Sequence, residues 1–221
     1  MELLDALQGR RSIRTFLPKQ VEWWKLAEIL DAARYAPSAG NLQNWNFVIV
    51  EDLERKKALA EISIKQYWMT DATLIIIYSK MDMIKQYYGV RGEMLYSIQN
   101  CAACIQNMLL RAYDLNLGSC WISAFDEDAV KRILKITGEI RVQAILCVGY
   151  TEEKAEIPPR YELRDLCYFE EFGKRKDDSV WPLAKHKAIE KAKDKTKKLF
   201  GVSLHLRKKK DGVVRTSQKS K

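Results

Sequence analysis

APSAGNLQNWNFVIV, residues 36–50, passes from a loop into a strand within a few residues. Pro, Ser, Gly and Asn crowd its first half, the composition of a turn rather than of a regular element. WNFVIV, branched and aromatic, reads as a strand. Upstream, from Trp23 to about Tyr35, apolar residues at 23, 26, 27, 29, 30 and 33 follow the spacing of an amphipathic helix. The stretch therefore joins a helix to a strand, and it carries two side-chain amides at alternate positions, Asn41 and Gln43. An amide offers donor and acceptor together, which suits the edge of a heterocycle such as a flavin or nucleobase as well as an ordinary turn.

The alternation continues outward. LERKKALAEIS (53–63) reads as a helix with charges on its exposed face, and TLIIIYS (73–79) as a strand buried on both faces. KMDMIKQYYGVR (80–91) reads as a short connection into the longest helix, about 93–115. That helix has an apolar face at Leu95, Ile98, Cys101, Ala102, Ile105, Met108 and Leu109 and ends at Gly118. CWISAF (120–125) is a strand. DEDAVKRIL (126–134) opens with the acidic residues a helix N-terminus favours. VQAILCVGY (142–150) is a core strand, and IPPRYEL (157–163) a loop leading to a short helix near 163–168. At the other end, residues 2–8 form a short helix stopped by Gly9 as its C′ residue. The pattern predicts an α+β or α/β sheet with helices on its faces.

Charge divides the chain in two. Of 38 Lys+Arg and 29 Asp+Glu in 221 residues, residues 174–221 hold 17 and 5, a net of +12. Residues 1–173 keep 21 and 24, a net of −3. We expect one domain over 1–173 and a basic extension over 174–221: a helix at 182–200, a hairpin with a DG turn at 201–217, and a disordered end. The extension could bind nucleic acid through RKKK (207–210), or wrap a partner subunit through Trp181, Leu183, Leu199 and Phe200. Both histidines, His186 and His205, lie in it. The body thus has no Ser–His–Asp triad, Cys–His pair or histidine-ligated metal.

Cys101 and Cys104 spell CAAC, but no second pair exists to complete a zinc site, so small core residues are expected and no metal. The odd number of cysteines, the absence of a signal-peptide pattern and the lack of a long apolar run lead us to expect a soluble cytoplasmic protein without a membrane segment.

There is no Walker P-loop and no G-x-G-x-x-G. A bound phosphate would have to be held by side chains. GRRSIRTF (9–16) offers them: in an extended chain Arg10, Ser12 and Arg14 point one way and Arg11 and Ile13 the other. Guanidinium groups pair bidentately with phosphate oxygens; a solvated basic strand edge has the same appearance.

Together these stretches resemble the nitroreductase family of FMN-dependent oxidoreductases. RRSIR (10–14) resembles its phosphate-binding element, and APSAGNLQNWNF (36–47) its P-S-x-x-N-x-Q-P-W-x-F motif. LNLGSCWISAF (115–125) resembles the strand beside the flavin, and VGYTEEKAEIPPRYEL (148–163) the closing V-G-Y…P-x-R segment. The four blocks stand in family order over about residues 1–173.

The resemblance implies a mostly antiparallel sheet flanked by helices in a domain-swapped homodimer. Arg10, Ser12 and Arg14 would contact the FMN phosphate, ribityl chain and pyrimidine edge, with Arg11 close by and Arg160 a second phosphate ligand. Pro37, Ser38, Ala39, Asn41 and Gln43 would reach the FMN of the partner subunit, and Ile122, Ser123 and Ala124 would lie at the N5 edge. NAD(P)H would reduce the flavin and leave before a nitroaromatic, quinone or similar acceptor takes the electrons. The same fold also serves reductive dehalogenation and biosynthetic oxidation. No catalytic acid is assigned, because water or the acceptor can supply the proton. The chain departs from the motif at Asn44, where the family usually has proline. The short 80–91 connection implies an open site, which Trp68, Tyr87 and Tyr88 could line and Glu93 could face.

Overall fold

The structure, a computed structural model, describes residues 1–180. The helix, hairpin and nucleic-acid contacts expected beyond Trp181 lie outside the described residues. Contacts within the chain divide it into two units, Met1–Pro158 and Pro159–Lys221. The division falls earlier in the chain than the change of charge near residue 173.

The first unit is built on four antiparallel strands: β1 (Trp45–Val50), β2 (Thr73–Lys80), β3 (Gly118–Ile122) and β4 (Ile140–Gly149), in the order β1-β2-β4-β3. β2 and β4 are the inner pair, matched from Thr73↔Val148 to Lys80↔Ile140 with a register shift between Ile77 and Tyr78. Both faces of this pair are covered. Ile75, Ile77, Ala144 and Leu146 pack under α2 (Trp23–Ala33) and α5 (Ser97–Asp114). Leu74, Ile76, Ile145 and Cys147 pack under α3 (Leu53–Ile62) and α6 (Glu127–Leu134). That accounts for the unbroken apolar run TLIIIY, since a strand covered on both sides has no polar alternation to show. The result is the α+β class: an antiparallel sheet with helices on both faces.

Local chemistry sets the helix ends. Asp52 and Asp126 accept hydrogen bonds from the backbone N–H of Arg55 and Ala129, each at 3.0 Å, and so cap α3 and α6. α5 ends through Asn116 at φ 58°, with Leu117 N–H donating to Ala112 O and Asn116 N–H to Tyr113 O. This is a Schellman closure built on asparagine, two residues before the expected stop at Gly118. Gly118 is glycine for another reason: a Cβ there would lie 2.7 Å from Thr151 Cγ2 and 3.0 Å from Ile13 Cγ2. Gly9, likewise, is the last residue of α1 (Leu3–Gly9) rather than a left-handed cap; its Cβ would meet the Tyr113 hydroxyl.

The stretch expected as a connection is itself helical. α4 (Asp82–Arg91) kinks at Gly89 (φ 56°, ψ −147°) and runs through a π-helical turn, Gly92–Tyr96, into α5. Glu93 in that turn pairs with Lys85 at 3.6 Å, and its carbonyl accepts from the Ser97 hydroxyl. Trp23, placed by its spacing on the buried face of α2, is 65 % exposed.

Of the second unit, the short helix α7 (Leu163–Leu166) is followed by a cluster in which Arg175 stacks on Tyr168 and pairs with Asp165 at 3.3 Å. Its Arg160 is exposed and donates to Pro159 O at 3.4 Å.

Phe16 is seated by the absence of a side chain at Gly149, where a Cβ would fall 2.8 Å from Phe16 Cδ1. Gly149→Ala is expected to cost about 1–3 kcal/mol and to lower the thermal midpoint by several degrees. Adding Phe16→Leu to that variant should recover part of the loss, read as a double-mutant cycle by calorimetry.

Candidate functional site

Residues 9–18 do not form a full strand. They touch the sheet by one parallel bridge, Ser12↔Ser119, with Ile13 N–H donating to Ser119 O at 2.9 Å and Leu17 N–H to Tyr150 O at 2.8 Å. Ile13 and Phe16 are the anchors. Both are buried with Cys120, Ile122 and Cys147, and Phe16 stacks on Trp68 at 6.2 Å. The apolar residues interleaved with the arginines thus plug the segment into the core and leave Ser12 and Arg14 exposed. Trp68 is committed to this packing.

The four charged and polar residues then separate. Arg10 and Arg11 line one cavity of about 370 Å³ together with Gly118, Ser119, Thr151 and Lys154. Arg11 is tied to the backbone: Nη1 donates to Gln8 O (2.7 Å) and Arg10 O (2.6 Å), and Nε to Glu156 O (3.1 Å). It closes the C-terminal end of α1, where helix carbonyls lack partners. Arg10 Nε is buried and has no partner in the protein. Ser12 and Arg14 lie against Cys120. Burial pushes the Cys120 thiol up, while the Arg14 charge and the Ser12 hydroxyl pull it back.

Glu153 holds this segment in place. Its Oε2 accepts from the backbone N–H of Arg14 (3.0 Å) and Thr15 (2.8 Å). Thr151 Oγ1 donates to Thr15 O (2.7 Å) and accepts from Glu153 N–H (2.9 Å). Sequence reading missed Glu153; in TEEK it looks like solvated charge, and only the fold brings it to residues 14 and 15.

The amide-bearing loop stands elsewhere. Ala39–Asn41 is a single 3₁₀ turn with Gly40 and Asn41 both at φ 58°. The Gly40 Cα faces the Tyr88 hydroxyl, which an added Cβ would approach to 2.4 Å. Gln43 Nε2 donates to Asn41 Oδ1 at 3.1 Å. Pro37, Asn41 and Gln43 are exposed, and Ser38 and Ala39 half-buried. Ser38 Oγ is shielded from solvent without a partner. Asn100, from the middle of α5, reaches the loop with its side chain. Oδ1 accepts from Ala39 N–H (2.9 Å), and Nδ2 donates to Leu42 O (3.1 Å) and to Asn44 Oδ1 (2.9 Å). Asn44 Nδ2 is left buried and unpartnered, a state that costs about 1–3 kcal/mol.

The sheet keeps the two halves of the candidate site apart. The loop enters β1 at Trp45, opposite Ser79 and one strand from Arg141 at the start of β4. Ser12 bridges Ser119, opposite Val148 near the end of β4. The halves therefore occupy opposite edges and opposite ends of one sheet, three strand spacings or about 14 Å apart across the strands alone. Ile122 is the buried last residue of β3, with Ser123 and Ala124 exposed just beyond it.

Among the described residues no cluster of three or more His, Cys, Asp or Glu could hold a metal, and no helix is long and apolar enough to cross a membrane. Cys101 and Cys104 are core residues; burial pushes the Cys101 thiol up to about 12, and Cys104 higher still.

Comparison with known proteins gives one consistent result. The sequence profile of the nitroreductase family matches residues 7–67 and 63–150. An NADH dehydrogenase of Thermus thermophilus is 31% identical over 185 residues, covering 70% of this chain and 90% of that protein. A 5,6-dimethylbenzimidazole synthase of Rhodospirillum rubrum is 27% identical, covering 70% and 85%. The structure of an FMN-dependent nitroreductase from Clostridium difficile superposes with a TM-score of 0.63 at 28% identity, covering 76% of this chain and 99% of that one.

Four of the five cysteines are buried and Cys167 is half-buried. Raised thiol pKa values mean fewer thiolates than in free cysteine at pH 8, and the thiolate is the reactive form. Titration of the native protein with Ellman's reagent at that pH should modify one thiol rapidly and the other four only on unfolding. Rapid modification of more than one would contradict this packing.

Proposed function

We propose, from the premise that the chain belongs to the nitroreductase family, that it is an FMN-dependent oxidoreductase carrying electrons from NADH or NADPH to small nitroaromatic, quinone or similar acceptors, working as a homodimer with shared sites. The observation that carries this reading is the separation of the two halves of the site. Arginine chemistry suited to a phosphate hangs from the β3 edge, and amide chemistry suited to a heterocycle hangs from the β1 edge. One flavin cannot span both within a single copy, but a second copy can bring its loop to the first copy's arginines. The exposed apolar side chains Leu3, Leu4 and Leu7 on α1, Met94 in the π-helical turn and Ile98 at the start of α5 supply surface for such a pairing.

The residues present fit FMN. Arg10 Nε and Ser38 Oγ are buried groups without protein partners, one on each half, and a bound phosphate and ring system would give them partners. On this reading Arg10, Ser12 and Arg14 hold the phosphate, the ribityl chain and the pyrimidine edge. Arg11 contributes by fixing the α1 terminus that presents Arg10. Pro37, Ser38, Ala39, Asn41 and Gln43 serve the second copy's flavin, and Ile122, Ser123 and Ala124 lie at the reactive N5 edge of the ring. When bound, FMN supplies the two-electron chemistry. The protein binds, orients and places positive charge: Arg14 is held by Glu153 through its backbone, so its guanidinium is free for the ligand. The acceptor would enter beside Tyr88, which leans over Gly40. A biosynthetic oxidation on the same fold would use the same binding groups, and an acceptor panel separates the two.

The purified protein should be yellow, retain FMN through gel filtration and elute at twice the chain mass. Stopped-flow mixing with NADH or NADPH should bleach the flavin band, and a nitroaromatic or quinone should restore it. Arg10→Ala combined with Arg14→Ala should lose FMN on the column; full retention by that variant would refute the assignment of the arginines.

A further inference from the structure

Asn100 is 4 % exposed and sits among the buried residues of α5, where an amide has to be fully paired or be a liability. Its pairing leaves no freedom of orientation. Ala39 N–H can only donate, and Leu42 C=O can only accept, so Oδ1 must face the first and Nδ2 the second. The remaining Nδ2 proton then requires an acceptor, which fixes the Asn44 amide as well: Oδ1 toward Asn100, Nδ2 away into the protein, where it is unpartnered. Two of the three bonds go to backbone atoms on either side of Gly40–Asn41, a pair of successive left-handed residues. Asparagine tolerates that region but does not hold a chain there. A proline at position 44 would stiffen the loop from within; here the loop is held from outside, by one helix side chain.

We propose that Asn100 is a positioning residue for the loop 38–44, with Asn44 as its third point of attachment, and that it sets the presentation of Ser38, Asn41 and Gln43 to the flavin. The last clause rests on the function proposed above; the hold on the loop does not. Asn100 touches neither flavin nor acceptor. It fixes the two peptide groups that bracket the turn.

The test uses the full chain, with and without FMN. Asn100→Leu removes all three bonds while keeping the number and branching of the side-chain heavy atoms. Asn100→Asp keeps an acceptor for Ala39 N–H and supplies no donor to Leu42 O or Asn44. Asn44→Ala leaves α5 intact and removes one bond. Hydrogen exchange is read on the segment 37–44 in flavin-free protein, and FMN affinity and the visible circular dichroism of bound FMN in loaded protein. Both Asn100 variants should exchange the segment at least about tenfold faster, bind FMN about tenfold more weakly and alter the flavin signal; Asn44→Ala should show a few-fold change of the same sign. Where Asn100→Leu does not fold, Asn100→Asp and Asn44→Ala decide on the same scale. Wild-type exchange in the folded variants overturns the proposal. Faster exchange with unchanged FMN affinity and signal overturns the link to the flavin. A wild-type protein that binds no FMN yet protects 37–44 through Asn100 overturns the proposed function and leaves the positioning role standing.

Discussion

The β2–β4 pairing is the constraint on which the rest of the first unit depends. Two strands covered on both faces by helices can only be the middle of a sheet, and once they are, β1 and β3 must be its edges. Each polar segment of the candidate site is attached to one of those edges. The arginine segment adds a single bridge to β3, and the amide loop runs straight into β1. The sheet interior, apolar and without a free hydrogen-bonding position, offers nowhere else to put them. The distance between the two chemistries is thus a by-product of burying TLIIIY twice.

What holds each segment is different in kind. The arginine segment is pinned by apolar plugs, Ile13 and Phe16, and by a carboxylate, Glu153, that binds backbone rather than a cation. The amide loop has no plug of that sort and relies on one buried asparagine. The Asn100 bonds are shielded from water, where solvent competes less and geometry counts more, whereas the Glu153 bonds are exposed and the arginine segment depends chiefly on its buried plugs.

The strands and six of the seven described helices were legible because their periodicity is local. The failures share a cause in contacts that no window of sequence contains. Gly9 and Gly118 read as helix stops, yet each is small because Tyr113, or Ile13 with Thr151, occupies the space a side chain would need. α4 was hidden because its exposed polar and aromatic residues show little amphipathic contrast and Gly89 breaks the pattern. Within the site, the exposed groups Ser12, Arg14, Asn41 and Gln43 were visible as residue types suited to a ligand. The residues that hold them were not: nothing in the local sequence marks Asn100, inside a helix, or Glu153, in a run of charges, as a partner of distant backbone, and Arg11 donates to carbonyls, among them Glu156 O, which only the fold brings within reach.

The placement of the two segments on opposite edges has a genetic consequence. With a two-fold pairing as proposed, every site is assembled from the arginines of one copy and the amides of the other. A copy damaged in its arginines and a copy damaged in its loop, each inert with its own kind, would together form one site that is doubly damaged and one that is whole. Two loss-of-function alleles would then complement one another within a mixed pair, while either allele alone, paired with an intact copy, would silence only half of the sites it enters.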